Sequence, residues 1–323
     1  MNLLPTDEQE SFASASAAFL ASSLPLTRVR ALIDEPDNVD ESVWAAAADL
    51  GWFGLGLPEA LGGVGAGLAD EVLLFRELGR ALAPGPFLGT VLGARVAAAG
   101  GAEGLAAEIV GGTRRVAYAL GDQLLDGVSA THAVVVRPER ADLVDLAGLD
   151  IAPGRCIDEA SRVSSAPVTR APVVASVASE QDPVFRRALV LTAAAMVGIG
   201  EATRDMAAEY AKTRVQFDRP IGVHQGVKHP CADMAVRCEA AWAQTVVAAL
   251  AHDEGLTGAD REALCARVVA EEAAERNSTS ALQVLGGIGY TAEHDVHLYV
   301  KRAQVLRWAP MEKKALLDLL IAR

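Results

Sequence analysis

Residues 184–213 run for thirty positions without a proline and with apolar side chains through most of their length. Such a stretch reads as one long helix over Val184–Thr213, and a helix that apolar has to be covered by others. The cover follows in sequence. Val227, Cys231, Met234, Cys238, Ala241, Thr245 and Ala249 recur at three and four residues and mark the buried face of a second helix. A third is expected from about Asp260 to Leu285 and a fourth from about Glu293 onward. The loops between them are short, so these segments imply an antiparallel four-helix bundle. The core must be built from Ala, Val and Leu, because aromatics make up only 5% of the chain. Small side chains let helices approach closely.

The rest of the chain divides into two parts. Residues 1–110 form an N-terminal helical domain in this reading. Thr6 and Gln9 form a capping box opening a helix toward Leu24. Further helices cover Glu41–Gly51 and Ala69–Leu82, then stop at Pro84-Gly85-Pro86 and restart to about Ala99. The glycine loop Leu61–Gly67 lacks a strand-turn-helix setting and reads as a flexible turn. Residues 111–182 form a reduced β-domain. Val116–Leu120, Ala133–Arg137 and Leu143–Leu146 are short β-prone runs, and Val168–Val174 is a further candidate. Asp182 and Pro183 look like a helix cap and first helical residue opening the bundle, residues 183–323. The fold class expected is mainly α with a small β-domain.

Charge removes several function classes. With 29 Lys and Arg against 42 Asp and Glu, the net charge is -13, which repels nucleic-acid phosphates and anionic membrane surfaces. The most apolar run, Ala188–Gly200, is too short to span a bilayer, and the first residues lack a basic leader. Cys156, Cys231, Cys238 and Cys265 form no CxxC pair and read as reduced thiols of a cytoplasmic protein. No metal site is expected. His294 and His297 are three apart, without a carboxylate or cysteine set of defined spacing.

Two segments carry chemistry. In Tyr210–Gln225 a helix delivers Arg214, Gln216 and Phe217 into a turn closed by Pro220 and Gly222. Arg214 offers a forked cation for phosphate and Phe217 a flat apolar face. The same segment is equally a helix–helix turn with a surface arginine. In Leu282–Thr291 a helix stops at Gly286-Gly287, where bare backbone admits a ligand closely or simply caps the helix.

Together these segments resemble the acyl-CoA dehydrogenase family. They follow its Y-A-x-x-R-x-Q-F-x-x-P-I-x-x-x-Q and Q-x-x-G-G-x-G-[YF] patterns, through Arg214, Gln216, Phe217, Gln225, Gln283, Gly286 and Gly287. Leu50–Gly54 and Pro58-Glu59 with Gly62-Gly63 match an N-terminal stretch of the same family. The resemblance implies FAD as cofactor and α,β-desaturation of an acyl-CoA, with electrons passed to an electron-transfer flavoprotein. It also implies that the two segments reach the adenosine-pyrophosphate half of a neighbouring subunit's FAD.

The chain departs from the family where the catalytic base belongs. Pro310 stands at one of the family's positions for that glutamate and Ala188, or a near neighbour, at the other. Neither side chain takes a proton, and the family's flavin-ring motif is missing after Val116–Leu120. Motifs serving a neighbour are kept and those serving the chain's own flavin are lost. The pattern resembles the small, non-catalytic subunit of actinobacterial heterotetrameric (α2β2) acyl-CoA dehydrogenases of steroid degradation, in which a second acyl-CoA dehydrogenase-like chain supplies the base. Two alternatives remain: a self-sufficient dehydrogenase with a displaced base such as Glu312 or Glu180, and a non-enzymatic assembly subunit.

Overall fold

The computed structural model describes residues 2–322. Six helices come first: α1 (Asp7–Ser23), α2 (Leu26–Ala31), α3 (Glu41–Asp49), α4 (Leu68–Arg80), α5 (Phe87–Ala99) and α6 (Glu103–Val110). The capping box at α1 is formed in both directions. Thr6 Oγ1 accepts from the Gln9 amide at 3.2 Å, and Gln9 Oε1 accepts from the Thr6 amide at 3.0 Å. Asp40 caps α3 in the same manner through the amides of Ser42 and Val43. Trp44, Phe53 and Phe87 stack behind α3 and α5 with ring centroids 4.3 to 5.9 Å apart.

The middle of the chain is one seven-stranded mixed sheet. Its strands are β1 (Val116–Leu120), β2 (Gln123–Leu125), β3 (His132–Val136), β4 (Arg140–Asp145), β5 (Ala152–Pro153), β6 (Val163–Ser165) and β7 (Val173–Ala178). They lie in the order β5-β6-β2-β1-β3-β4-β7, antiparallel except for the central pair β1 and β3. Tyr118 on β1 sits opposite Leu125 on one side and Val134 on the other. The expected strand over Val168–Val174 is corrected: Val168–Arg170 is a 3-10 turn, and the strand starts only at Val173, past Pro172.

The C-terminal part is α7 (Val184–Thr213), a two-stranded hairpin of β8 (Val215–Gln216) and β9 (Arg219–Pro220), then α8 (Gln225–Asp253), α9 (Ala259–Leu285), α10 (Val296–Leu306) and α11 (Lys313–Ile321). Helix α7 is about 45 Å long and buried along most of its first two-thirds. It is the element all three parts share. The expected last helix is two, interrupted between Leu306 and Lys313. Asp182 does not cap α7; its carboxylate pairs with Arg95 of α5 at 2.7 Å, and Pro183 takes the cap position.

Helices α4 and α7 cross backbone to backbone. A Cβ on Gly79 would stand 2.0 Å from the Ala195 carbonyl oxygen, and one on Gly198 2.0 Å from that of Arg76. No side chain fits there, which is why both positions are glycine. Beside the crossing, Glu201 accepts from Arg76 at 2.6 and 2.7 Å and from Arg80 at 3.2 Å. These contacts seal the N-terminal helices onto the bundle.

Candidate functional site

The two sequence segments meet at one end of the bundle. Ala207 of α7, Met234 of α8, Ala281 and Leu285 of α9 and Val296 of α10 form a small apolar cluster, with Tyr210 and Leu282 packed against it. Arg214 follows α7 directly and leaves the helix in extended conformation. Its carbonyl accepts from the Ile221 amide at 2.9 Å and closes the hairpin. Phe217 and Asp218, the two turn residues, have φ of 53° and 62°. Left-handed backbone at both places is the turn geometry that suits a tight hairpin, and it is strained for a bulky residue such as phenylalanine.

That strain presents an apolar ring to solvent: Phe217 is 86% exposed. Gln216 is exposed and donates to the Val215 carbonyl at 2.8 Å. Gln225, the first residue of α8, is exposed as well. On the adjoining side, Gln283 is exposed in the last turn of α9, and Gly286 leaves the helix at φ 63°. A Cβ on Gly286 or Gly287 would meet nothing within 4 Å, so the space above this backbone is open. Val215, Val223, Ile288 and Tyr290 add exposed apolar surface around them.

Charge concentrates there too. Between residues 212 and 228 stand Lys212, Arg214, Arg219 and Lys228 against one acidic residue, Asp218, in a chain of net charge -13. Among the described residues Arg214, Arg219 and Lys228 form no ion pair, and Lys212 only a long exposed one to Glu209 at 3.7 Å. This end of the bundle is therefore a positive, partly apolar surface, suited to an anionic ligand carrying a flat ring.

The interior is the opposite. Ala188 is fully buried on α7, and Pro310 is buried beyond α10. Arg267 fills the space beside Pro310. It donates to the Ala309 carbonyl at 2.9 Å, to the Leu306 carbonyl at 3.0 Å and to Glu271 at 2.7 Å. Glu271 is fully buried in this pair, and burial lowers the Arg267 pKa from its usual range. Glu275, one turn further along α9, is half-buried beside Arg307. Between α4, β1, β2, α7 and α10 lies a cavity of about 70 Å³. Thr192, one turn after Ala188, and Leu306, one turn before Pro310, both line it. Glu312 stands exposed ahead of α11 and does not line it. Glu180 borders a separate outer hollow with Glu139, Arg186 and Asp260.

Two further buried clusters escaped the sequence reading. Arg187 is buried, where it donates to Glu71 of α4 and lies 3.2 Å from His252 of α8. Burial first, then Arg187 and Arg186, push the His252 pKa down to about 3, so the ring is neutral and able to accept from Arg187. Arg302 of α10 is buried against Asp158 at 2.5 Å, and Asp158 is itself buried. Neither pair has a local sequence signal, since the partners lie more than a hundred residues apart. Among the described residues no three His, Cys, Asp or Glu are grouped as metal ligands require.

Known proteins share this layout. Residues 6–111 match the N-terminal domain of acyl-CoA dehydrogenases, and residues 184–310 match their C-terminal domain. The acyl-CoA dehydrogenase IpdE2 of Mycobacterium tuberculosis is 35% identical over 311 residues, covering 93% of this chain and 92% of that protein. The chain belongs to the acyl-CoA dehydrogenase family. Among solved members of the fold, the Tcur3481-Tcur3483 steroid ACAD aligns with a TM-score of 0.88 at 24% identity, covering 98% of this chain and 97% of the other. The ChsE4-ChsE5 complex from Mycobacterium tuberculosis aligns with a TM-score of 0.85 at 23% identity, covering 100% of this chain and 98% of the other. An acyl-CoA dehydrogenase fold thus carries an exposed, positive bundle end and a narrow interior pocket in one chain. No helix among the described residues is long and apolar enough to cross a membrane.

Proposed function

We propose that this chain is the non-catalytic subunit of a heteromeric, FAD-dependent acyl-CoA dehydrogenase, lending its bundle end to a flavin held mainly by a second acyl-CoA dehydrogenase-like chain. The observation that carries this reading is the contrast between the two regions. The outer end presents unpaired guanidinium groups, a strained exposed phenyl ring and open glycine backbone. The interior has no carboxylate where the family's base belongs and a cavity of about 70 Å³, too small for either a flavin ring or an acyl chain.

The residues at the bundle end fit part of an FAD. Arg214 supplies a fork for pyrophosphate, Phe217 a face for a ring, Gln216, Gln225 and Gln283 amide groups for the polar edge, and Gly286 and Gly287 close backbone approach. FAD, if bound there, would supply the hydride acceptor for oxidation of an acyl-CoA. This chain's residues bind and orient its nucleotide end, and the α-proton is left to a carboxylate of the partner. Exposed apolar side chains around the site suit burial against that partner in an α2β2 assembly. The substrate class is an acyl-CoA thioester, with a steroid-derived acyl group suggested by the likeness to a steroid ACAD. The four free thiols suit a cytoplasmic location, and an electron-transfer flavoprotein is the acceptor the family implies. We divide the chain accordingly at 110/111 and 182/183.

The test is co-expression of the chain with a second acyl-CoA dehydrogenase chain of the same genome. Arg214→Ala and Phe217→Ala here are expected to lower the flavin content of the purified complex at least several-fold while the subunits still co-purify. Unchanged flavin content in both variants would remove the reading. Glu312 and Glu180, the displaced bases considered, do not line the interior cavity.

A further inference from the structure

His294 and His297 stand at the start of α10 and line neither the interior pocket nor the outer hollow. The first amides of a helix need acceptors from outside it. Asp295 holds the cap position of α10 but makes no side-chain bond to the helix; its carboxylate pairs instead with Arg30 of α2 at 2.5 Å. His294 takes over the role. Its Nδ1 accepts from the Val296 amide at 3.1 Å. Only a neutral imidazole can do this, because protonation turns Nδ1 into a donor facing another donor.

His297 lies one residue into the helix. It is half-buried, and both its ring nitrogens are closed to solvent and without a hydrogen-bond partner among the described residues. A charge on that ring has to be carried without water. Arg30 acts on both histidines from α2, and its Nη2 is itself buried without a partner among the described residues. Lys301, one turn further along α10, acts on His297 and is paired at 2.7 Å with Glu159 of the loop ahead of β6. The positive end of the α10 dipole opposes either imidazolium further. Both pKa values are lowered from the usual 6.5. At His294 burial and Arg30 outweigh Asp295. At His297 burial, Lys301 and Arg30 outweigh Glu159 and the Ala292 backbone.

This turn supports the bundle end. Val296, whose amide His294 holds, is fully buried in the apolar cluster with Ala207, Met234, Ala281 and Leu285. Leu285 runs directly into Gly286, and residues 291–295 join the Gly286–Tyr290 turn to α10. We propose that His294 and His297 form an acid-sensitive latch. Protonation removes the Val296 cap and adds charge beside Arg30 and Lys301, so the first turn of α10 opens and the Gly286–Tyr290 backbone is released. A group whose folded pKa is depressed contributes stability above its unfolded value and loses it as pH falls, so the latch is closed at neutral pH and weakens below about pH 6.5. It is a property of the lone chain and stands whatever ligand the bundle end takes.

The experiment is amide hydrogen exchange of the purified chain, compared at about pH 7.5 and about pH 5 and corrected for the intrinsic pH dependence of exchange. Peptides spanning residues 286–300 are expected to lose protection about tenfold at the lower pH, while the middle of α9 stays within about twofold. His294→Asn keeps an acceptor at the same place along the side chain and cannot be protonated there, and His297→Leu removes the second titrating ring. In the double variant the acid effect should shrink to within about twofold. Should that protein not fold, His294→Asn alone is expected to reduce the acid effect at least threefold. Full protection of the parent at the lower pH, an equal acid effect in the variants, or a loss spread evenly through α9 would each overturn the proposal.

Discussion

Arg267 holds the carbonyl of Ala309 at 2.9 Å, so a fully buried guanidinium fixes the residue just ahead of Pro310. The same guanidinium neutralises Glu271 at 2.7 Å and satisfies the Leu306 carbonyl. Beside Pro310 this chain carries a fully buried ion pair. Arg267→Met would strand the Glu271 charge and two carbonyls in the core, at a cost of about 3–5 kcal/mol. The double variant Arg267→Met/Glu271→Leu should recover much of that loss. Urea unfolding of the three proteins measures both effects, and a single variant as stable as the parent would contradict the role given to the pair.

Asp126 gives the chain a pH signature. Burial raises its pKa from 3.8 to about 6, opposed by the Arg162 amide and the Arg302 charge and reinforced by Asp158. The unfolded carboxyl keeps its lower value, so between these two pH values the folded state holds the extra proton. This group's contribution is therefore fully present below about pH 4 and is lost as pH rises through 6. Asp126→Asn removes the penalty. Its gain in stability should be small near pH 4 and reach the order of 3 kcal/mol from pH 7 upward. Thermal unfolding of both proteins from pH 4 to 8 checks the trend; a gain that shrinks with rising pH would have the wrong sign.

The long helices were legible because their signals are local. The spacing of apolar residues and the breaks around it mark both ends of Val184–Thr213, and the Thr6 and Gln9 cap is visible four letters at a time. The turn after Arg214 was legible for the same reason, since helix end, turn residues and proline adjoin in sequence, but its two short paired strands were not. The closed interior was not. Gly79 and Gly198 look like ordinary weak points in two helices until the crossing of α4 and α7 brings their backbones together. Glu271 and Arg187 look solvated, because the burial that pairs them depends on elements far away in sequence. The parallel pairing of β1 with β3, past the intervening β2, likewise has no sequence mark.

The glycine crossing predicts an asymmetric tolerance. Gly198→Ala places a methyl group against the Arg76 carbonyl of α4 and forces the helices apart, with a loss of about 3 kcal/mol or more. Gly287→Ala meets open space, so the lone chain should unfold within about 0.5 kcal/mol of the parent. Chemical denaturation of the two variants gives the comparison, and equal losses would contradict the packing described.

The carboxylates nearest in sequence to the missing base are expected to be silent. In the co-expressed complex, Glu312→Gln and Glu180→Gln should each leave acyl-CoA-dependent reduction of an electron acceptor within about twofold of the parent. General-base catalysis contributes about a hundredfold or more, so loss of a true base would be unmistakable. A drop of that size in either variant would return the base to this chain.

The central claim is that the chain shares a flavin site without owning one. The most direct test is the visible absorbance spectrum of the chain purified alone and of the chain purified with its co-expressed partner. A colourless lone chain and a yellow complex, with flavin bound between the two kinds of subunit, are expected. A lone chain that retains stoichiometric FAD would contradict it.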